Sequence, residues 1–321
     1  MGGTFRPGLA YRSVRMQTGK VADAQRGNWV DAFAPDWLKP YARLARWDRP
    51  IGIWLLFWPC AFALALAAVA RPAVGFNFWY LLLMLVGATL MRGAGCTGND
   101  IVDAKIDTMV ARTRSRPIPS GAASRTQAAV FLVAQSLLAL VILLQFNLLT
   151  IVLGIASLVL VAIYPFMKRV TWWPQFFLGL AFSYGAIVGW TAQIDSLGWP
   201  PILLYAGCIL WVIGYDTIYA LQDIEDDTLI GVKSTARLFG SRTRPIVAGI
   251  YAGAYILWVL AALAAGGGWL FVLASLVPGG LMAWQVWTLN ADEPQNPYLR
   301  FTSNHWVGFT LTLALLIEWA W

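Results

Sequence analysis

Residues 77–107 read NFWYLLLMLVGATLMRGAGCTGNDIVDAKID. The first two thirds form an apolar run long enough to cross a bilayer, for which roughly 20 residues suffice. The run ends in acid. Asn99, Asp103 and Asp107 stand four apart, a spacing that stacks them along one face of a helix. Carboxylates at this spacing repel one another, and the low dielectric near lipid strengthens the repulsion. The stretch therefore sets two expectations: a membrane-spanning helix, and a positive charge held where it ends.

Composition extends the first expectation to the whole chain. Of 321 residues, 59% are hydrophobic and 12% charged, against about 25% charged in a soluble domain. The 18 Trp, 16 Phe and 11 Tyr supply aromatic belts for the membrane interfaces. Cys60, Cys96 and Cys208 lack disulfide or metal spacing. The single His305 leaves no histidine cluster for zinc or haem. Nine spans are expected, at about 50–70, 77–98, 127–146, 149–167, 175–193, 200–222, 246–264, 268–288 and 303–321. The fold class is thus all-α and integral to the membrane.

A net charge of +7 raises the question of nucleic acid. The position of the charges answers it, because Lys and Arg lie between apolar runs and beside acidic motifs, as at a membrane surface. Of the 23 Lys and Arg, only Arg71 falls on the side opposite the N-terminus, and only Arg92 falls within a span. That asymmetry places the N-terminus in the cytoplasm. Residues 1–35 are expected as a disordered tail and 36–321 as one transmembrane domain. A short interfacial helix is expected over 36–49. The first 22 residues hold no acid, so a transit peptide is the alternative to a tail. A bacterial inner membrane is expected, with the mitochondrial inner membrane as the alternative.

Half of the 16 acidic residues fall in two windows, the one above and a second from Tyr215-Asp216 to Asp223-Ile224-Glu225-Asp226-Asp227. Tyr219, Asp223 and Asp227 repeat the spacing of Asn99, Asp103 and Asp107 at a constant offset of 120 positions. Two helix ends facing each other across a cavity would produce this register. Mg2+ prefers oxygen ligands and commonly bridges carboxylates to substrate phosphates. Arg112, Arg116, Lys168 and Lys233 stand ready to neutralise phosphate oxygens. Acids and bases around one pocket point to a metal-diphosphate complex. The plainer alternative is a set of solvated helix ends.

These motifs resemble those of the UbiA superfamily of intramembrane prenyltransferases, N-x-x-x-D-x-x-x-D followed by D-x-x-x-D with a preceding Tyr. The blocks RWDRPIGIWLLFWPC (46–60), LMRGAGCTGNDIVDAKID (90–107), RTRSRPIPSG (112–121), YPFMKRVTWWPQFFLG (164–179) and YDTIYALQDIEDDTLIGVKSTARLFG (215–240) are similar to the branch that prenylates 4-hydroxybenzoate for ubiquinone. The resemblance implies nine helices around a cavity open to lipid. It also implies Mg2+-dependent transfer of a polyprenyl group from polyprenyl diphosphate to the ring position ortho to the phenol. Carried over by position, Asn99, Asp103, Asp107, Asp223 and Asp227 would hold the metal-diphosphate. Arg116, Tyr164 and Lys168 would contact the diphosphate. Homogentisate, dihydroxynaphthoate and protohaem branches share the motifs and remain alternatives for the acceptor.

Arg92 lies seven residues before Asn99, two helical turns deeper on the same face. A charge at that depth is expensive and marks a functional position by default. Its fork suits a carboxylate, so it is a candidate clamp for the benzoate. The alternative is an ion pair with Asp216. The phenol needs a proton acceptor, for which Asp223 is preferred over Asp216. Trp54, Trp58, Phe176, Phe182 and Tyr184 either line the prenyl path or pack between helices. Glu318 is expected to snorkel to water, and His305 to make a local hydrogen bond. A secondary transporter would share the spans and the repeat, but its charges would gather at the midplane rather than at one face.

Overall fold

The structure is a computed structural model, and it describes residues 27–109, 113–224, 228, 231–293 and 295–321. Every regular element among them is helical. Short helices α1 (Trp29–Phe33) and α2 (Lys39–Leu44) precede the long helices α3 (Ile51–Ala70), α4 (Phe78–Asp107), α5 (Arg125–Leu143) and α6 (Leu148–Val170). Then come α7 (Pro174–Phe182), α8 (Gly185–Ile194), α9 (Trp199–Ala220), α10 (Thr235–Phe239) and α11 (Thr243–Ala264). The chain closes with α12 (Trp269–Ala274), α13 (Leu276–Trp287), α14 (Asn296–Thr302) and α15 (Asn304–Ala320).

Eight of the described segments are long and apolar enough to cross a membrane. Nine were expected; among the described residues the ninth, at 303–321, is the one that falls just short of that length. A break at Ser303 confines the last stretch to α15, with 17 residues. That is about 26 Å of helix, short of a hydrocarbon core of about 30 Å. The span expected at 175–193 is bent, with α7 and α8 meeting at Ser183 and Tyr184. The span expected at 268–288 is interrupted at Ser275.

The N-terminal boundary also moves. Part of the segment assigned to the tail is folded: Asn28 caps α1 by accepting from the Asp31 amide at 2.9 Å, and Arg43 pairs with Asp31 at 2.7 Å. Val30 is fully buried. The interfacial helix expected over 36–49 is only α2, because Arg46 adopts a left-handed backbone, φ 59°, that ends helical geometry.

α3 is packed against α4, α8 and α15. Glycines on its neighbours permit that closeness. A Cβ at Gly308 of α15 would sit 2.2 Å from Trp58, and one at Gly189 of α8 would sit 2.7 Å from the Cys60 carbonyl. Small residues let helices approach where lipid supplies no hydrophobic drive between them. In α3, 78% of the spanning window is buried, against 6% in α6. Exposed Leu137, Val141, Ile155, Leu158 and Val159 on α5 and α6 therefore face hydrocarbon.

Contacts between connections sort the ends into two faces. On one, Gln193 donates to the Gly75 carbonyl at 2.7 Å and Asn147 to the Thr191 carbonyl at 2.6 Å. Glu318 accepts from the Gly268 and Phe271 amides at 2.5 and 2.6 Å. It caps α12 rather than snorkelling, since the orphan amides at a helix start attract a carboxylate. On the other face, Lys168 reaches Asp103, the Lys233 amide donates to the Lys168 carbonyl, and Arg244 donates to the Trp287 carbonyl.

Candidate active site

α4 has 30 residues, about 45 Å of helix. It exceeds the hydrocarbon core, so its last turns carry Asn99, Asp103 and Asp107 beyond the lipid, while Arg92 stays at membrane depth. One uninterrupted helix thus builds a two-level site.

At the upper level each carboxylate is met by cations. Lys168 and Arg169, at the end of α6, reach the two Asp103 oxygens at 3.0 and 3.4 Å. Arg116, from the connection after α4, bonds both Asp107 oxygens at 3.2 and 3.1 Å. Burial pushes the Asp107 carboxyl up from its ordinary range, with Arg116 and the Thr113 hydroxyl opposing. Asn99 is half-buried beside them.

Sequence reasoning missed what holds this level in place. Asp100 is fully buried, bonded to Arg46 at 2.5 Å and to Arg116 at 3.5 Å. The left-handed turn at Arg46, a conformation that costs about 1–3 kcal/mol, belongs to the segment that delivers its guanidinium to α4. A network from Arg46 through Asp100 and Arg116 to Asp107 ties the chain before α3 to the motif. Asp100, Asp103 and Asp107 are spaced three and four apart, so Asp100 shares their stripe. The fourfold register alone overlooked it, and overlooked Arg169.

At the deeper level Tyr164 lies one turn before Lys168 on α6, half-buried. Asp216 is half-buried on α9, next to the buried Tyr215. Arg92 lies over the Phe182 ring, Cζ to centroid 5.3 Å, and its buried Nε has no hydrogen-bond partner.

The second motif departs from the first. α9 ends at Ala220, and Leu221–Asp223 is a 3-10 turn, so the shared register does not extend to a second straight helix. Asp223 is half-buried there. The Tyr219 ring packs on Phe301 with centroids 4.6 Å apart. Lys233 sits at the end of α6, its ammonium on the Val170 carbonyl at 3.2 Å, where a cation suits the helix dipole. The Thr217 and Thr235 hydroxyls bond at 2.6 Å and Gln175 accepts from the Thr235 amide at 3.1 Å. These bonds stitch this segment to α7 and α9. Arg112 and Asp227 lie outside the described residues.

Of the aromatics, Trp54 and Trp58 stack at 5.6 Å beside His305, and Phe176 is exposed. The expected hydrogen bond of His305 is not seen at Nδ1, which is buried without a partner.

The donor set is all oxygen, with neighbouring cations, which fits a hard divalent ion that keeps waters and substrate phosphates as ligands. Among the described residues no three acidic, His or Cys side chains converge on one point. The protein's carboxylates would therefore share such an ion with the diphosphate.

Helices of this number, with acids at one face and an arginine beneath them, define a polytopic membrane protein with a charged site at one membrane face. The chain belongs to the UbiA prenyltransferase family, whose model matches residues 56–312. It is 46% identical over 279 residues to the mitochondrial 4-hydroxybenzoate polyprenyltransferase of Aedes aegypti, covering 87% of this chain and 63% of that one. Identity to the Arabidopsis thaliana protein of that name is 44% over 286 residues, covering 88% and 70%. Identity to the Homo sapiens protein is 42% over 291 residues, covering 90% and 77%. The chain thus spans less than two thirds of the Aedes relative and somewhat more of the other two. Its fold matches a UbiA homolog from Aeropyrum pernix with TM-score 0.68 at 23% identity, covering 82% of this chain and 97% of that one. A UbiA homolog from Archaeoglobus fulgidus bound to GPP and Mg2+ matches with TM-score 0.58 at 17% identity, covering 87% and 99%.

Proposed function

We propose that this chain is an enzyme that transfers a polyprenyl group from polyprenyl diphosphate to carbon 3 of 4-hydroxybenzoate, the prenylation step of ubiquinone synthesis. The observation that carries this reading is the two-level site on α4. Carboxylates and cations stand at the surface, and Arg92, with its buried Nε unpartnered, lies beneath them beside Tyr164.

Lys168, Arg169 and Arg116 bind the diphosphate, exchanging their bonds to Asp103 and Asp107 for phosphate oxygens. Asn99, Asp103, Asp107, Asp223 and Asp227 would hold Mg2+. When bound with the diphosphate, the ion would neutralise charge on the departing pyrophosphate. The bond from the prenyl carbon to the diphosphate oxygen breaks, and negative charge builds on the leaving oxygens. Fixed cations stabilise that charge more than they stabilise the ground state. Arg92 clamps the carboxylate of 4-hydroxybenzoate and orients its ring. The ring carbon ortho to the hydroxyl forms the new bond to the prenyl carbon. Asp223, or Asp216, accepts the phenol proton; the ring proton then leaves to water to restore aromaticity, and the carboxylic acid returns its proton to the phenolate, so that pyrophosphate and one proton are released in all.

The exposed apolar faces of α5 and α6 support a reading in which membrane lipid surrounds the site and the prenyl tail extends into it. The excess of Lys and Arg on the face that carries the site supports a cytoplasmic N-terminus. Of the two inner membranes that the sequence leaves open, the mitochondrial relatives support the mitochondrial one.

The test is a membrane assay with Mg2+, 4-hydroxybenzoate and polyprenyl diphosphates of several lengths. A 3-polyprenyl-4-hydroxybenzoate is expected, and no product at any length would overturn the reading. Asp103→Ala should lower kcat by about a hundredfold or more, as loss of a side chain that would hold the ion neutralising the leaving group does.

A further inference from the structure

Gly52, in the first turn of α3, lies where the Arg92 guanidinium crosses from α4. A Cβ at Gly52 would sit 2.5 Å from Arg92 Nε, 2.8 Å from Nη2 and 2.9 Å from Cζ. These distances fall well inside the ~3.5–4.0 Å at which non-bonded carbon atoms rest. The Phe182 ring contacts the same group at 5.3 Å, a cation–π distance. The guanidinium is therefore seated between a bare stretch of backbone and an aromatic ring. We infer that Gly52 is a specificity-determining residue for the acceptor: its missing side chain seats the Arg92 fork in the orientation that reads a carboxylate. The inference rests on Arg92 as the carboxylate clamp.

The physical reason lies in tolerance. A two-pronged hydrogen bond needs its donors placed within about 0.5 Å, and a misplacement of about 1 Å can cost a hundredfold in rate. The Arg92 stem is long and flexible, so its neighbours must fix its end. Gly52 does so by letting the guanidinium lie directly against α3. The atoms that a new Cβ would meet belong to the far end of that flexible side chain, with no backbone among them. Gly52→Ala is accommodated by swinging the guanidinium away, without parting the helices. Alanine also favours a helix over glycine. The substitution thus displaces Arg92 while leaving the fold intact.

The experiment measures KM for 4-hydroxybenzoate, for its uncharged amide and for the polyprenyl diphosphate, in membranes carrying wild type, Gly52→Ala or Arg92→Ala. Gly52→Ala is expected to raise KM for 4-hydroxybenzoate about tenfold or more and to erase its advantage over the amide. KM for the diphosphate should stay within about twofold, and the unfolding temperature within about 2 °C. If Arg92→Ala abolishes the preference for the acid but Gly52→Ala does not, the role of Gly52 is overturned and the clamp stands. If Arg92→Ala leaves the preference intact, the clamp falls and this inference with it. Equal rises for both substrates in Gly52→Ala also overturn the inference. Should Gly52→Ala fail to accumulate, Phe182→Leu removes the other wall without adding bulk beside α3. It should lower the preference for the acid about threefold or more, and an unchanged preference overturns the inference.

Discussion

Arg92 and Asp100 sit on one helix and carry opposite charges, yet their environments ask different things of them. Arg92 has a buried nitrogen without a partner and a ring beneath its guanidinium. Its value lies in the planar fork, which Lys does not have. Arg92→Lys should raise KM for 4-hydroxybenzoate about tenfold while KM for the diphosphate stays near wild type. Steady-state kinetics with each substrate varied would decide it, and parallel losses for both would sink the clamp. Asp100 is spent on two arginines that it fixes in place. Asp100→Asn removes the buried negative charge that Arg46 and Arg116 share, Arg116 keeping Asp107, which should cost about 3 kcal/mol. The cost should appear as a lower unfolding temperature in detergent, together with a raised KM for the diphosphate through a loosened Arg116. An unchanged unfolding temperature would show that the network is not structural.

Helix packing decides what a glycine does, and two glycines that both face a close neighbour show the contrast. On α9, a Cβ at Gly214 would lie 2.2 Å from the Tyr251 ring on α11, and one at Gly207 would lie 2.7 Å from Trp258. Tyr251 and Trp258 are themselves buried, wedged in a cluster with Trp211, whose indole donates to Asn304 at 2.7 Å. Unlike the Arg92 guanidinium at Gly52, these rings have nowhere to swing. Gly214→Ala should therefore force α9 and α11 apart at a cost of about 1–3 kcal/mol. Thermal unfolding would measure it, and the preference for acid over amide should not move. A variant as stable as wild type would mean that the interface yields more than its packing indicates. The length of α4 is the other decision at this scale. The same acids on a helix of ordinary span length would sit at the hydrocarbon edge, too near lipid for a diphosphate and its cation.

The whole molecule divides into two faces. Gly75, Asn147, Gln193, Gly268 and Glu318 meet on one, and the charged site occupies the other. Arg71 alone among the lysines and arginines named in the connections lies on the first. Cysteines introduced at Ala73 and at Ser120, both exposed, should react with a membrane-impermeant thiol reagent from opposite sides of sealed vesicles. Native Cys96 and Cys208 are buried and contribute little background. Labelling of both introduced cysteines from one side would overturn the two-faced arrangement.

Much of this was legible in the chain because lipid makes simple demands. A span must be long, apolar and helical, and charge must gather where it ends. Composition and spacing therefore determined the all-helical membrane class, the run from 77 to 107 and the clustering of acid with base. The count of spans was harder, because Ser303 shortens α15 and nothing in hydropathy alone separates 17 apolar residues from 20. What only the tertiary structure decided are the contacts between helices far apart in the chain. Arg46 meets Asp100, Lys168 meets Asp103, Lys233 turns to a carbonyl, and Gly52 lies under Arg92. Spacing along one helix reports which residues share its face. It does not report which neighbour that face will meet, because packing chooses the partner.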